Sequence, residues 1–388
     1  MKYYFLTAAF LIFGANLNAQ LNYPPSFVPH GPGGGGYMYS PSINPANPSQ
    51  IYLTCDMGGV YRSNSNGEAW QLLPQIVSTV KGKVQFTSDP NIQYMVRRST
   101  TNLNDPLQRG EIAKTTDGGS TWSPVNDPTA TGVHRLEADP NSTQRILVSE
   151  YNQLFFTNDG GASWSVAYHP SDDQLWMGGV FWDGNQIYVG TNKGLLVSHN
   201  GGQTFSIETH AGMPAEEGIF HLSGAKQGGV TRLFVVTALQ QEMYAWLEVL
   251  DLRQYIQQVY RMDYQQGATW QNTRGNIENG VFLNWIDLAQ NDVEKIWAAG
   301  DVNGLPLIFL SLDGGQTWSN LFFASDNENV LTGWGGDYGA FSYLWSGAAL
   351  GFDVNDSNPD HVVFTDGMGH ITNSSGSEWR AIDVTPAS

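Results

Sequence analysis

The chain has 388 residues, 36 acidic and 18 basic, and its formal net charge of −18 argues against nucleic acid or an anionic membrane surface as a partner. Charged residues make up only 14% of the chain, below the usual quarter, whereas aromatic residues reach 12% and include 13 tryptophans. This composition favours a large β protein over a helical bundle. The single cysteine, Cys55, excludes an intramolecular disulfide framework and a multi-cysteine metal site.

The first 19 residues have the features of a secretory signal. Lys2 gives a positive start, an uncharged and mostly apolar run extends from Tyr3 to Gly14, and the small residue Ala19 precedes Gln20. The apolar run is too short to cross a bilayer. We therefore predict a signal peptide over residues 1–19, an N-terminal extension over 20–36, and export to the periplasm or out of the cell. The alternative is a buried N-terminal strand.

One unit recurs seven times along the rest of the chain, about every 50 residues. Its complete form is Asp-Gly-Gly, any one residue, and then a Ser-Trp or Thr-Trp pair. Degenerate forms keep a Gly and an aromatic residue three positions later. The aromatic residues of the seven copies are Trp70, Trp122, Trp164, Phe205, Trp270, Trp318 and Trp379. In such a hairpin the Asp accepts hydrogen bonds from the backbone ahead of it, and Gly tolerates a positive φ. This is the Asp-box of β-propellers, a structural motif, so we assign no chemistry to Asp117, Asp159 or Asp313.

Strand-like runs flank each box and give four short strands per repeat. Seven such repeats predict an all-β fold, a seven-bladed β-propeller with Asp-box hairpins, over residues 37–388. The approximate blades are 37–73, 83–125, 133–167, 174–208, 219–271, 281–322 and 346–384. Blade 5 is the least regular, and for residues 248–260 we predict a short helix or an inserted hairpin. Blade 7 is expected to supply all four of its own strands.

The boxes also predict which face of the ring carries chemistry. Each box joins strands 3 and 4 of its blade, so the turns between strands 2 and 3 lie on the opposite face, where loops held by a rigid ring bind ligands. Alignment on the boxes places Asp56, Glu150, Asp301 and Asp366 in this turn in blades 1, 3, 6 and 7, with Arg97 and Arg98 nearby in blade 2. Blades 1 and 7 are neighbours in a closed ring, so we expect Asp56 and Asp366 to form a catalytic acid and base pair. Glu150, Asp301 and Arg98 are then candidate substrate contacts, and the alternative is that such carboxylates cap backbone amides.

Aromatic residues cluster in links predicted on the same face. The link into blade 7 contains Trp334, Tyr338 and Trp345, and the link into blade 4 contains Trp176. Exposed aromatic rings stack on the apolar faces of sugars, so these four residues are candidate substrate platforms. The alternative is ordinary packing between blades.

The opening of the propeller resembles a known family. The run Gly33 to Tyr37 leads into Ile43-Asn44-Pro45 and then into the segment Ile51 to Arg62, which contains Thr54-Cys55-Asp56-Met57-Gly58-Gly59-Val60-Tyr61-Arg62. These residues, with Leu136 to Asn141 and the boxes of blades 2 and 3, resemble the N-terminal propeller of glycoside hydrolase family 74, the xyloglucanase type.

The resemblance implies an inverting enzyme that cuts β-1,4-glucan backbones, often of xyloglucan. It implies that Asp56 matches the catalytic base and that the acid comes from a second propeller facing the first. The sequence ends at Ser388, just after the predicted blade 7, so three possibilities stay open: a longer protein or a second chain, an acid within this ring such as Asp366, or lost catalysis with binding retained.

Other functions also stay open at the level of sequence. A glycan- or protein-binding propeller without catalysis needs no carboxylate pair. A polysaccharide lyase needs a His and Tyr pair, for which His134, His169, His210, His221 and His370 are candidates, and a sialidase needs three arginines with a Tyr and Glu pair. We expect no cofactor, and no spacing of His or Cys residues points to a metal.

Overall fold

The repeated units fold into seven antiparallel sheets, one for each predicted blade. The computed structural model describes residues 37–78, 82–98, 110–245, 256–265, 267–302, 305–322, 330–331 and 351–382. The strands of blades 1 to 4 are β1 (Met38–Ile43), β2 (Ile51–Cys55), β3 (Val60–Ser63), β4 (Gln71–Leu72), β5 (Gln85–Phe86), β6 (Gln93–Arg98), β7 (Gly110–Thr115), β8 (Ser123–Pro124), β9 (Arg135–Ala138), β10 (Ile146–Ser149), β11 (Leu154–Thr157), β12 (Ser165–Tyr168), β13 (Met177–Asp183), β14 (Gln186–Thr191), β15 (Gly194–Ser198) and β16 (Ser206–Glu208).

The remaining blades follow the same order with two additions. Their strands are β17 (Glu217–Gln227), β18 (Val230–Leu239), β19 (Ile256–Asp263), β20 (Gln271–Asn272), β21 (Phe282–Leu288), β22 (Ile296–Val302), β23 (Leu305–Ser311), β24 (Ser319–Asn320), β25 (Val330–Leu331), β26 (Gly351–Asn355), β27 (Asn358–Thr365), β28 (Gly369–Thr372) and β29 (Trp379–Ala381). The helix α1 (Gln240–Ala245) follows β18. Of the predicted irregular segment 248–260, residues 248–255 lie outside the described residues and residues 256–260 belong to β19. The four antiparallel strands of blade 7 come from its own segment, as predicted, and β25 adds a parallel fifth strand beside β29. No helix in the described part of the chain is long and apolar enough to cross a membrane.

The core of the protein lies between the blades. Seven clusters of buried apolar side chains each join two neighbouring blades, and the cluster of blades 7 and 1 closes the ring. Both faces of the inner strands are therefore buried, which explains why β2, β10 and β11 lack the alternation of a half-exposed strand. Repeated aromatic residues link the blades by hydrogen bonds as well. The indole N–H of Trp164, Trp318 and Trp379 donates to Asn126, Thr273 and Leu321 of the preceding blade, at 2.9 to 3.1 Å.

Backbone contacts fix the two faces of the ring. The N–H groups of Gly118, Gly160 and Gly314 in the β3–β4 type hairpins donate to carbonyls in the first turn of the same blade, at 3.0 to 3.1 Å. First turns and Asp-Gly-Gly hairpins therefore share one face. In a four-stranded antiparallel blade, the turn between its second and third strands must then lie on the opposite face, which we call the upper face.

Candidate functional site

The described candidate residues all lie on the upper face, which carries the turns between second and third strands. Asp56, Glu150 and Asp366 occupy the turns between the second and third strands of blades 1, 3 and 7, whereas Arg98 and Asp301 stand at or near the end of a second strand. Trp176 immediately precedes β13. The sequence thus predicted correctly that these residues share one face, but they differ in burial.

Asp56 is exposed at this face. Its Oδ1 accepts the backbone N–H of Tyr37 at 3.1 Å, and its own N–H donates to the Tyr37 carbonyl at 3.2 Å. The Cys55 Sγ lies 3.4 Å from the same oxygen, and burial raises the pKa of this thiol so that it stays protonated and can donate. Asp56 is therefore held at one oxygen while its side chain reaches solvent, as a group acting on a bound substrate must.

Asp366 lies on the neighbouring blade but is buried, with 1% of its surface exposed. Its Oδ1 accepts the Met368 N–H at 3.1 Å and lies 3.2 Å from Nε2 of His370. The His370 ring stacks on Phe364 with their centroids 4.6 Å apart. This carboxylate is thus covered by its own turn and paired with an imidazole, and it is not exposed to a cleft.

The segment Tyr37–Met38 connects the turn that contains Asp56 with the turn that contains Asp366. The Met38 N–H donates to the Gly367 carbonyl at 3.1 Å, and Tyr37 bonds to Asp56. A Cβ atom on Gly367 would lie 2.3 Å from the Tyr37 ring, so the ring rests directly on this backbone. Blades 1 and 7 are therefore joined at this face, as the closed ring predicts.

Glu150 and Asp301 are also buried. Glu150 Oε2 accepts hydrogen bonds from the backbone of Ala130 and from the N–H and hydroxyl of Thr131, at 2.7 to 3.1 Å, and Gln153 donates to Oε1 at 2.9 Å. Burial raises the pKa of Glu150, but these hydrogen bonds outweigh it and leave the pKa below its usual value. Asp301 is fully buried within β22. These contacts tie Glu150 to the loop that contains Ala130 and Thr131, as expected for a carboxylate that caps backbone amides.

The remaining candidates differ in exposure. Arg98 is exposed, and its backbone N–H donates to the Val77 carbonyl at 2.8 Å. Trp176 is 6% exposed, stacks on Phe220 with 5.1 Å between ring centroids, and donates its indole N–H to the Phe220 carbonyl. Its environment is that of packing between blades. Trp334, Tyr338 and Trp345 lie outside the described residues.

The sequence analysis did not identify three exposed apolar residues near Asp56 as candidate site residues. Tyr37, Met57 and Val77 are 43%, 76% and 48% exposed. Tyr37 follows the glycine run that carries the family resemblance, and Met57 follows Asp56 directly, so sequence proximity offered a signal for both. Sequence proximity gives no such signal for Val77, because Val77 comes close to Asp56 only in the folded chain, where it contacts the Gly58 turn.

The Asp-Gly-Gly hairpins lie on the other face and are held by their own hydrogen bonds. Asp117, Asp159 and Asp313 each accept a backbone N–H four residues ahead at 2.8 to 2.9 Å and a hydroxyl of the same residue at 2.5 to 2.6 Å. These bonds lower the pKa of all three carboxyl groups to about 2. Every oxygen contact serves the turn, in agreement with a structural role.

The central channel holds a second group of charges. It has a volume of about 130 Å³ and is lined by the innermost strands. Burial raises the pKa of Asp353 to about 6 despite the ion pair with Lys83, and burial with the charges of Asp287 and Asp353 raises that of Asp356 to about 7. Within the described ranges, His, Cys, Asp and Glu form no group of three placed to hold a metal ion.

The chain is similar to known proteins in both sequence and structure. No protein-family model matches the chain. Over 242 residues the chain is 28% identical to a xyloglucanase of Acetivibrio thermocellus, a match that covers 49% of this chain and 29% of that protein. The crystal structure of the glycoside hydrolase family 74 enzyme of Niastella koreensis superposes with a TM-score of 0.67 at 19% identity, covering 92% of this chain and 55% of that one.

A third match has a different function. Over 157 residues the chain is 24% identical to the photosystem II assembly protein Ycf48 of Thermosynechococcus vestitus, covering 39% of this chain and 42% of that protein. These matches confirm the propeller and its similarity to xyloglucanases of glycoside hydrolase family 74. The chain spans about half the length of the matched hydrolase structure.

Proposed function

We propose that this chain is an exported, carbohydrate-active propeller that hydrolyses β-1,4-glucan backbones of the xyloglucan type, with Asp56 as the catalytic base. The observation that carries the proposal is that Asp56, the carboxylate matched to the family's base, is the exposed member of the four predicted carboxylates. The similarity to xyloglucanases over half of the chain supports the substrate class.

The proposed chemistry is hydrolysis with inversion. Oδ1 of Asp56 is held by the Tyr37 N–H, and no hydrogen bond from the described residues reaches Oδ2. Oδ2 would take a proton from a water molecule as the water oxygen attacks the anomeric carbon and the glycosidic C–O bond breaks. The leaving oxygen takes a proton from a carboxylic acid roughly 6.5–9.5 Å from the base.

The burial of Asp366 bears on the source of that acid. A general acid must come within hydrogen-bond reach of the leaving oxygen, and Asp366 lies under its turn beside His370. We therefore propose that Asp366 orders the Met368 turn and that the acid is supplied from outside the described residues, by another segment, a second propeller domain or a second chain.

The test is release of reducing ends from xyloglucan, mixed-linkage barley glucan and carboxymethylcellulose by the full chain and by Asp56→Asn. We expect Asp56→Asn to lose activity by about 10² to 10⁴-fold, because proton transfer by a positioned base contributes that much. The matched control is Asp117→Asn, since Asn200 already fills the corresponding turn position of blade 4 and accepts the Thr204 N–H at 3.0 Å. Activity that survives in Asp56→Asn would remove Asp56 from catalysis.

A propeller that binds without catalysis is the second candidate, and the burial of Glu150, Asp301 and Asp366 favours it. The similarity to the assembly protein Ycf48 is consistent with it. Retention on a glucan gel without release of reducing ends would select a glycan-binding role, and neither retention nor release would select a protein-binding role.

Export is part of the proposal, because the substrate is a polymer outside the cell. Residues 1–19 lie outside the described residues, so the test is made on the protein itself. N-terminal sequencing of protein recovered outside the cytoplasm should begin near Gln20. An N-terminus at Met1 in the exported fraction would contradict the predicted cleavage.

A further inference from the structure

Blade 5 differs from the other six blades in the hairpin between its third and fourth strands. In each of the other six, the residue five positions before the aromatic residue of the box accepts the backbone N–H of the residue four positions ahead of it, at 2.8 to 3.2 Å. A Ser or Thr hydroxyl two positions earlier accepts the N–H of the box glycine, also at 2.8 to 3.2 Å. These two acceptors tie the turn together.

In blade 5 these two positions are occupied by Gln265 and Asp263, and neither makes such a bond to a described residue. Asp263 instead pairs with Arg232, whose Nε and Nη2 donate to its two carboxylate oxygens at 2.5 and 3.0 Å. Within the described part of the chain, the N–H of Gly267 and the N–H and hydroxyl of Thr269 have no acceptor. The donors that the complete boxes satisfy internally are therefore open in blade 5.

These open donors lie at a surface cavity of about 250 Å³, which we call the blade 5 cavity. Its lining includes Gly267 and Thr269 together with Arg261, Asp263 and Gln265. Gln265, Gly267 and Thr269 are all exposed, and a Cβ atom on Gly267 would meet nothing within 4 Å. A ligand can therefore reach the donors from solvent, on the face opposite the upper face.

We propose that the blade 5 cavity binds a carboxylate group from outside the hairpin, in the place that the Asp carboxylate fills in a complete box. In blade 2 the two oxygens of Asp117 accept the N–H and the hydroxyl of Thr121 at 2.8 and 2.6 Å, and Thr269 offers the same pair of donors. Hydrogen bonds to an ionised acceptor are roughly twice as strong as those between neutral groups, so a carboxylate is favoured over a neutral ligand. The group would come from a small free acid or from an Asp or Glu side chain of a partner protein.

The charges around the cavity are balanced, although the whole chain carries a net charge of −18. Arg232 pairs with Asp263 and also donates to Glu294 at 2.8 Å, and Arg261 adds a second positive charge. A polyanion would still be repelled by the acidic surface as a whole, whereas a single carboxylate needs only these local contacts. The inference is independent of the proposed function, because the cavity and Asp56 lie on opposite faces.

The experiment follows backbone amide signals of the full, deuterated chain by NMR during titration with sodium acetate at pH 7.5, against sodium chloride at the same ionic strength. We expect the Thr269 amide signal to shift and saturate with acetate and to stay in place with chloride. The Thr121 amide is the internal control, because Asp117 already accepts its N–H, and its signal should not move.

Three variants test the contacts, with thermal unfolding of each as the folding check. Gln265→Asp and Gln265→Asn each supply the missing acceptor from within the hairpin, as Asn200 does in blade 4, and should weaken acetate binding at least tenfold. The Asn variant adds no charge and so distinguishes occupation of the site from repulsion. Thr269→Val keeps the N–H but removes the hydroxyl, and should weaken acetate binding about tenfold, the effect of losing one hydrogen bond to a charged group.

A second titration separates the two sources of the carboxylate. It uses a short blocked peptide with one Asp side chain, and the same peptide with Asn in its place as the control. Binding of the Asp peptide at least tenfold tighter than acetate would identify an acidic side chain of a partner protein, and equal affinity would assign the cavity to a small free acid. A Thr269 signal that does not saturate with acetate, or that shifts equally in both Gln265 variants, would overturn the proposal.

Discussion

Lys83 of blade 2 forms an ion pair with Asp353 of blade 7, across the inner strand of blade 1 that lies between them. Asp353 Oδ2 also accepts the backbone N–H of Ile43 in that strand at 2.6 Å. Asp287 of blade 6 continues the chain of contacts, because it accepts the Val354 N–H at 3.0 Å and the Ser223 hydroxyl of blade 5 at 2.8 Å. Polar contacts in the channel thus join the first and last blades and reinforce the apolar closure of the ring.

Replacing Lys83 by Met should lower the free energy of unfolding by about 2 kcal/mol at pH 7.5, because it leaves the Asp353 carboxylate buried without its cation. The double variant Lys83→Met/Asp353→Asn should recover most of this loss, because Asn is neutral and still accepts the Ile43 N–H. Urea unfolding of both single variants and the double variant measures the coupling. Equal losses in Lys83→Met and in the double variant would show that the ion pair does not couple these blades.

The acidic residues of the channel should make stability depend on pH between about 4 and 7. Because folding raises the pKa of Asp356 to about 7, the folded state binds more protons than the unfolded state in this range. The contribution of Asp356 therefore favours the folded state near pH 4 and is lost as the pH rises through about 7. Asp356→Asn should raise the melting temperature by about 2 °C at pH 7.5 and by less at pH 5, where the folded state keeps Asp356 protonated and only its ionisation in the unfolded state opposes folding. A constant difference at both pH values would contradict the raised pKa.

Gly367 should be essential for the contact between the Asp366 turn and Tyr37, the residue that bonds to Asp56. Its φ of +105° is left-handed, and a Cβ would collide with the Tyr37 ring, so Gly367→Ala should lower stability by about 2 kcal/mol and weaken glucan binding. Gly228→Ala is the matched control, since Gly228 also has a positive φ but its Cβ would meet nothing within 4 Å. It should lose about 1 kcal/mol of stability and keep its binding. Unchanged binding in Gly367→Ala would show that the position of Tyr37 does not matter.

Glu150 should stabilise the protein without contacting substrate. Glu150→Ala removes the acceptor for four hydrogen bonds from Ala130, Thr131 and Gln153, so we expect a loss of about 2 kcal/mol in thermal unfolding and unchanged affinity for glucan. Calorimetry with xyloglucan oligosaccharides checks the affinity. A normal melting temperature combined with weakened binding would restore Glu150 as a substrate contact.

Much of the fold followed from the sequence because its signals are local. A hairpin of the Asp-box type forms from bonds within five residues, so three complete and four degenerate copies of the motif predicted seven blades. The predicted blade 4 of 174–208 closely matches β13 to β16. Two elements were not predicted, because they lack such a local signal. The short strand β25 has no pattern of its own and forms only beside β29, and α1 lies in a blade whose repeat is degenerate.

The sequence by itself determined the ring, its two faces and the turns that carry Asp56, Glu150 and Asp366, because strand order and hairpin chemistry fix all of these locally, whereas Asp301 lies within β22 and not in the turn where the sequence placed it. The tertiary structure alone decided which of those carboxylates meets solvent. Glu150 is buried by a loop some 20 residues before it, Asp366 by its own turn and the His370 ring, and Asp56 stays exposed beside Tyr37 and Val77. Whether a carboxylate in a given turn can act on a ligand depends on these distant neighbours, and no local pattern encodes them.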